Sequence, residues 1–281
     1  MKQIERVAIV GLGLMGGSLA RALAARDVIV LGYDSVPDSL SAAEGEGIVH
    51  ERLPASLQGI ETADVVVFAL PVDATLALLA KIGDRLRDVS LITDLASTKR
   101  SVIHAAETGG LGARYVGSHP LTGSHRSGWR ASRATLFEEA RVFICPTAFT
   151  EPDAMRMAES FWRGLRAGVE TLDAAEHDEQ MAWRSHLPHV LSCALARTLR
   201  EAGIQRSALG PGGRDVTRLA GSAPTLWRSI IEDNIDPLET AVSALEAQLG
   251  VLRDALDRRD SAAMEAFFVA STSWFDGDPA G

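Results

Sequence analysis

Val7-Ala8-Ile9-Val10 runs without a polar residue into Gly11-Leu12-Gly13-Leu14-Met15-Gly16, and this junction constrains the fold more than any other feature of the chain. Four consecutive apolar residues read as a short strand buried on both faces. The residues after Gly13 read as a helix through Ala25, and Val28 to Leu31 form a second apolar run. Strand, glycine turn, helix, strand is the opening of a parallel sheet with helices on its faces. Gly11 suits the tight turn, Gly13 a close backbone approach to a diphosphate, and Gly16 tight packing of helix on strand. The helix start, with Leu14 and Met15 in its first turn, aims free N–H groups and a positive dipole end at such an anion. A plain flexible turn carries the same glycines, so the flanking elements give the pattern its weight.

The alternation continues through Asp64–Leu70, a helix from Asp73 to Leu86, and Ser90–Thr93. Tyr115–Val116, Arg141–Cys145 and Val169–Leu172 are later strand candidates. From Ala174 onward Ala, Leu, Arg and Glu dominate and β-branched runs disappear, so the second half is expected to be helical. Ala175–Glu201 is one long helical stretch that Pro188 should kink or interrupt near His186. Leu238, Val242, Leu245, Leu249 and Leu252 recur at helical spacing and predict a buried stripe. The expected organisation is a doubly wound, Rossmann-type dinucleotide-binding domain over residues 1–172 and an all-helical domain over 173–281.

Asp34 closes the second strand about 20 residues beyond the glycine turn, the place of an acid that grips ribose hydroxyls. Its carboxylate would repel a 2′-phosphate and no arginine follows it, which favours NAD over NADP, with Arg6 and Arg26 as the cations that would weaken this preference. A net charge of -9 argues against nucleic acid as a partner. No apolar run is long enough to cross a bilayer. The start of the chain shows no leader pattern, and Cys145 and Cys193 stand in apolar segments away from other metal ligands, so a reducing cytoplasmic setting is expected.

Four separated motifs bear on chemistry. They are Asp94–Lys99; Gly117-Ser118-His119-Pro120-Leu121-Thr122-Gly123-Ser124; Ser185-His186-Leu187-Pro188-His189; and Gly212-Gly213-Arg214-Asp215-Val216-Thr217-Arg218. A histidine at an ordinary pKa of about 6.5 is a natural proton acceptor near neutrality, and His119 stands among small, turn-forming residues that read as a loop. The bland alternative is a turn histidine bonded to a nearby carbonyl. Lys99 reads as a solvated lysine opening the next helix. Trp183, Trp227 and the Leu238 stripe read as core or dimer surface, and His177 and His186 as capping or core histidines. No His-Glu-x-x-His pattern or third convergent ligand supports a metal.

In this order, the four motifs resemble the prephenate and arogenate dehydrogenases of tyrosine biosynthesis. That resemblance implies hydride transfer from a hydroxylated, carboxylated cyclohexadiene to NAD with loss of carbon dioxide. It implies His119 as the catalytic base, Ser97 beside it, and Ser124, Ser185 and His189 around the substrate. Gly212 and Gly213 would let the backbone approach the substrate, and a plain interhelical turn explains them equally well. Arg218 is implied to bind a substrate carboxylate, and the helical domain to form a homodimer. His125 stands where many prephenate-specific members carry glutamate. Without that acid the pocket suits prephenate better than the ammonium-bearing arogenate. An arogenate-specific or dual-specificity cyclohexadienyl dehydrogenase is the alternative. A β-hydroxyacid dehydrogenase is disfavoured because Ala174–Leu187 holds no lysine, and a non-catalytic NAD-binding module because His119, Ser97 and Arg218 are all present.

Overall fold

A computed structural model describes residues 4–123 and 126–277; Ser124 and His125 lie outside the described residues. The chain runs β1 (Arg6–Val10), α1 (Leu14–Ala24), β2 (Ile29–Tyr33), α2 (Pro37–Gly45), β3 (Glu51–Arg52), β4 (Val65–Phe68), α3 (Val72–Ile82), β5 (Leu91–Asp94) and α4 (Arg100–Thr108). It continues through β6 (Val116–Pro120), β7 (Arg141–Pro146), α5 (Pro152–Gly164), β8 (Gly168–Thr171), α6 (Ala174–Met181), α7 (Leu187–Glu201), α8 (Pro211–Val216), α9 (Pro224–Asp233), α10 (Ile235–Asp257) and α11 (Ser261–Asp276).

The first five strands form a parallel sheet in the order β3-β2-β1-β4-β5. Strands β1 and β4 are covered on both faces, which is why Val7–Val10 and Val65–Phe68 are apolar at every position. The later strands depart from the expectation of a parallel sheet. They make a second sheet, β6-β7-β8, in which β6 and β7 are antiparallel. A single bridge from Ile92 to Tyr115 sets its first strand alongside β5. Ser118 faces α5, where its hydroxyl accepts from the Trp162 indole at 2.9 Å and pairs with Thr93 at 2.8 Å. Because side chains alternate along a strand, His119 is thereby turned to the opposite face.

The long helical stretch breaks where Pro188 requires it. Proline has no N–H for the carbonyl four residues back, and the chain answers with a π turn over Ala182–His186 before α7 begins. Two compact units are distinguished by their contacts, one ending at Asn234 and the other starting at Ile235. The second is the pair α10 and α11, joined by a short turn. Its predicted stripe is only partly buried. Leu238 is 5% exposed, while Leu249 is 53% exposed. In α10 only Leu238, Ala241 and Ala255 are buried, and α11 has no buried residue. No helix among the described residues is long and apolar enough to cross a membrane.

Candidate active site

The glycine turn meets three different local demands. Gly11 has φ +98°, and a Cβ there would lie 2.4 Å from the Ala69 carbonyl oxygen. A Cβ on Gly16 would stand 1.9 Å from the Gly11 oxygen, so only hydrogen fits where α1 crosses the turn. Gly13 is the N-cap of α1 and a Cβ would meet nothing within 4 Å. That open space lies in front of the first turn of α1, where Leu14 and Met15 line a cavity of about 390 Å³. The geometry fits a diphosphate.

Asp34 follows β2 and ties its end to this turn. Its Oδ2 accepts from the Leu12 N–H at 2.6 Å and its Oδ1 from the Val36 N–H at 2.7 Å. Two carboxylate oxygens retain lone pairs for further donors. Arg6 begins β1, roughly 16 Å of strand away from the turn, and is paired with Glu51. Arg26 lies past the far end of α1, bonded to the carbonyls of Ala22 and Gly164. Both arginines are therefore committed away from Asp34.

His119 lines the same cavity from the fourth position of β6 rather than from a loop, and its side chain is buried. Its Nδ1 lies 2.9 Å from His177 Nε2, and His177 Nδ1 lies 2.7 Å from Asp178 Oδ1. Asp178 also accepts the main-chain N–H of Lys99 at 2.8 Å and of Arg100 at 2.9 Å, so it serves as the acceptor end of the chain. The polarity then follows. His177 donates from Nδ1 and accepts at Nε2 from His119 Nδ1–H, which leaves His119 Nε2 as an unprotonated acceptor. Burial, reinforced by His177, Lys99 and His186, holds His119 well below the usual histidine range. His177 is also lowered by burial, against the opposing pull of Asp178.

His177 is buried, in keeping with a core histidine, and its bond to His119 is what sequence reading did not foresee. The Asp-adjacent histidine at the start of α6 was visible, but nothing local tied it to His119, 58 residues earlier. Lys99 also departs from expectation. Its side chain is fully buried and ion-paired with Asp94, because the residue falls at the N-cap of α4 beneath β6 rather than on the helix surface.

Ser97 lines the cavity, and next to it Thr98 Oγ1 is buried with no protein partner, an orphaned hydroxyl at the wall. Trp227, expected in core or dimer surface, also lines it and stacks on His189 with ring centroids 3.4 Å apart. His186 is buried edge-on to Trp227 and lowered to about 4, chiefly by burial. His189 Nδ1 and His186 Nε2 lack partners. Ser185 lies in the π turn. Arg126, which sequence reading passed over, is the one cation among the described residues lining this cavity.

Arg218 does not line that cavity. It borders another of about 630 Å³, with Leu199, Ile204, Leu209 and Thr217. Gly212 is exposed in the short helix α8, and neither cavity touches it. Among the described residues no group of three or more His, Cys, Asp or Glu is placed to hold a metal. Cys145 is a buried free thiol pushed up to about 12 by burial, and Cys193 is a half-buried free thiol.

Residues 19–171 match the family model described as prephenate dehydrogenase, nucleotide-binding domain, and residues 173–269 match prephenate dehydrogenase, dimerization domain. The chain is 30% identical to a prephenate dehydrogenase of Bacillus subtilis (strain 168), over 98% of this chain and 76% of that one. It is 32% identical to a cyclohexadienyl dehydrogenase of Zymomonas mobilis, over 92% of this chain and 91% of the relative. A crystal structure of prephenate dehydrogenase from Aquifex aeolicus, in complex with hydroxyphenyl propionate and NAD+, superposes with a TM-score of 0.88 at 29% identity and covers 99% of both chains.

Proposed function

The chain belongs to the prephenate dehydrogenase family, and from that premise we infer that it catalyses the NAD-dependent oxidative decarboxylation of prephenate to 4-hydroxyphenylpyruvate in tyrosine biosynthesis. The observation that carries this reading is the meeting, on one cavity, of the glycine turn and an imidazole whose free nitrogen is an acceptor.

Gly11, Gly13, Leu14, Met15 and Gly16 would hold the diphosphate of NAD, and Asp34 its ribose. Bound NAD supplies the hydride acceptor. His119 takes the proton of the ring hydroxyl at Nε2 as the hydride leaves the same carbon. The bond to the ring carboxylate then breaks, its electron pair enters the ring, and aromatisation drives the step. The chain to His177 and Asp178 orients the base and lets the arriving positive charge face a carboxylate. Ser97 is assigned to the substrate hydroxyl beside His119, and His189, held flat by Trp227, to the substrate side. Ser185 and Ser124 keep the substrate-binding roles that the resemblance implies, His125 stands in place of the family's glutamate, and Gly212 is assigned to a close backbone approach to the substrate.

Substrate carboxylates need a cation, and a guanidinium fork suits them. Arg126 has the position on the cavity; Arg218 has the resemblance. Residues 173–281 are assigned to substrate binding and homodimer formation. The family description, together with exposed Trp183, Val216, Leu226, Phe268, Trp274 and Phe275, supports this. The two unpaired cysteines suit a cytoplasmic enzyme.

NADH formation with prephenate and with arogenate, each with NAD and NADP, tests the reading. Prephenate with NAD is expected to give the highest kcat/KM. A higher value with arogenate would defeat the argument from the missing acid at His125, and no turnover of either would defeat the assignment.

A further inference from the structure

Beneath the His119 cavity lies an ion pair that takes no direct part in the reaction. The side chains of Lys99 and Asp94 are fully buried and paired with each other. Asp94 also accepts from the Tyr115 hydroxyl at 2.9 Å and the Ala96 N–H at 2.9 Å. Strand β6 runs directly over the lysine stem. A Cβ on Gly117 would stand 3.0 Å from Lys99 Cδ and 3.3 Å from Asp94 Oδ1. His119 follows two residues later on the same face of the strand. The Lys99 main chain meanwhile donates to the very oxygen of Asp178 that receives His177 Nδ1. Replacing a buried ion pair by apolar groups of similar volume is often neutral or stabilising, so a buried cation here points to a role besides packing.

We propose that Lys99 is a positioning residue for the proton transfer: its ammonium, held under β6 by Asp94, disfavours a second positive charge on His119 and His177 and so keeps the base ready to accept. This rests on the reading of His119 as the base. The charged and titratable groups around His119 and His177 are Asp94 from the end of β5, Lys99 from the β5–α4 connection, His177 and Asp178 from α6, His186 from the π turn, and Arg126 from the loop after β6. Cys145 on β7 and Tyr115 just before β6 are both pushed upward by burial and stay neutral. Lys99 lowers both histidines, whereas Asp178 raises His177 and Asp94 raises it by less than Lys99 lowers it, so the loss of Lys99 outweighs the loss of Asp94. Removing the cation therefore makes His119 easier to protonate, and the acid limb of activity moves to higher pH.

The test compares the wild type with K99R, K99M and the K99M/D94N pair. Two readouts are followed: kcat/KM for prephenate against pH, and the imidazole 15N titration of His119 in NAD-free protein, assigned with H119N. In K99M/D94N both are expected to move upward by about one pH unit, a tenfold change in proton affinity, while K99R stays with the wild type. An unmoved titration in the folded double variant would overturn the proposal. K99M alone leaves Asp94 buried without its partner, so the double variant carries the result if the single one does not fold. The NMR arm needs no turnover. A shifted titration in a protein that does not oxidise prephenate would establish the effect of Lys99 on the protonation of His119 while sinking the functional reading and with it the role in proton transfer.

Discussion

The glycine turn with Asp34 and the surroundings of His119, the two ends of the candidate site, are built by opposite means. At one end the glycine turn and Asp34 come from a segment of about two dozen residues, and every constraint on it is local: a positive φ, a carbonyl 1.9 Å from a Cβ that is not there, and a carboxylate reaching back to the turn. At the other end, His119 stands on β6 and the groups behind it come from the β5–α4 connection and from α6. The first end is a backbone shape, the second an electrostatic assembly. Substitutions at the first should therefore act through cofactor binding, and at the second through the rate of chemistry.

The sharpest way to break that contrast is His119→Asn. Loss of a general base should lower kcat by at least about 100-fold while NADH dissociation, followed by fluorescence titration, stays near the wild-type value. A comparable loss of NADH affinity would mean that the two ends are not separable.

Two arginines are candidates for the substrate anchor: Arg126 on this cavity and Arg218 on the other. Loss of one charge-assisted contact, roughly 1.5–3 kcal/mol, should raise KM for prephenate by about one to two orders of magnitude. Comparison of Arg126→Gln with Arg218→Gln identifies the anchor by which KM moves. Arg126 is expected to show the larger change. A rise in KM for NAD instead of prephenate would place Arg126 on the cofactor phosphates.

The smallest effect is expected at Asp34. Asp34→Ser removes repulsion of a 2′-phosphate and a ribose acceptor, so the preference for NAD in kcat/KM should narrow by about tenfold. The Leu12 and Val36 N–H groups lose their acceptor too, and the thermal midpoint should fall by a few degrees. An unchanged preference would remove Asp34 from cofactor selection.

What the amino-acid order determined by itself was whatever depends on near neighbours. The apolar runs of β1 and β4, the three glycines, Asp34, the break forced by Pro188 and the helical second half all follow from propensity and pattern over a few residues. His119 was identifiable as the histidine to explain, but its setting was misjudged. Small and turn-forming residues around it suggested a loop, whereas pairing with β7 drew the segment into a strand. The solvated reading of Lys99 failed for a similar reason, since local order says nothing of a strand passing overhead. Only the tertiary structure decided that His177 and Asp178 stand behind His119, that Trp227 walls the cavity, and that Arg126 rather than Arg218 shares that cavity. The physical reason is range. Backbone conformation is set by contacts within a few residues, whereas a protonation state depends on every charge and every layer of solvent excluded within about 10 Å, and the chain brings those groups together only by folding.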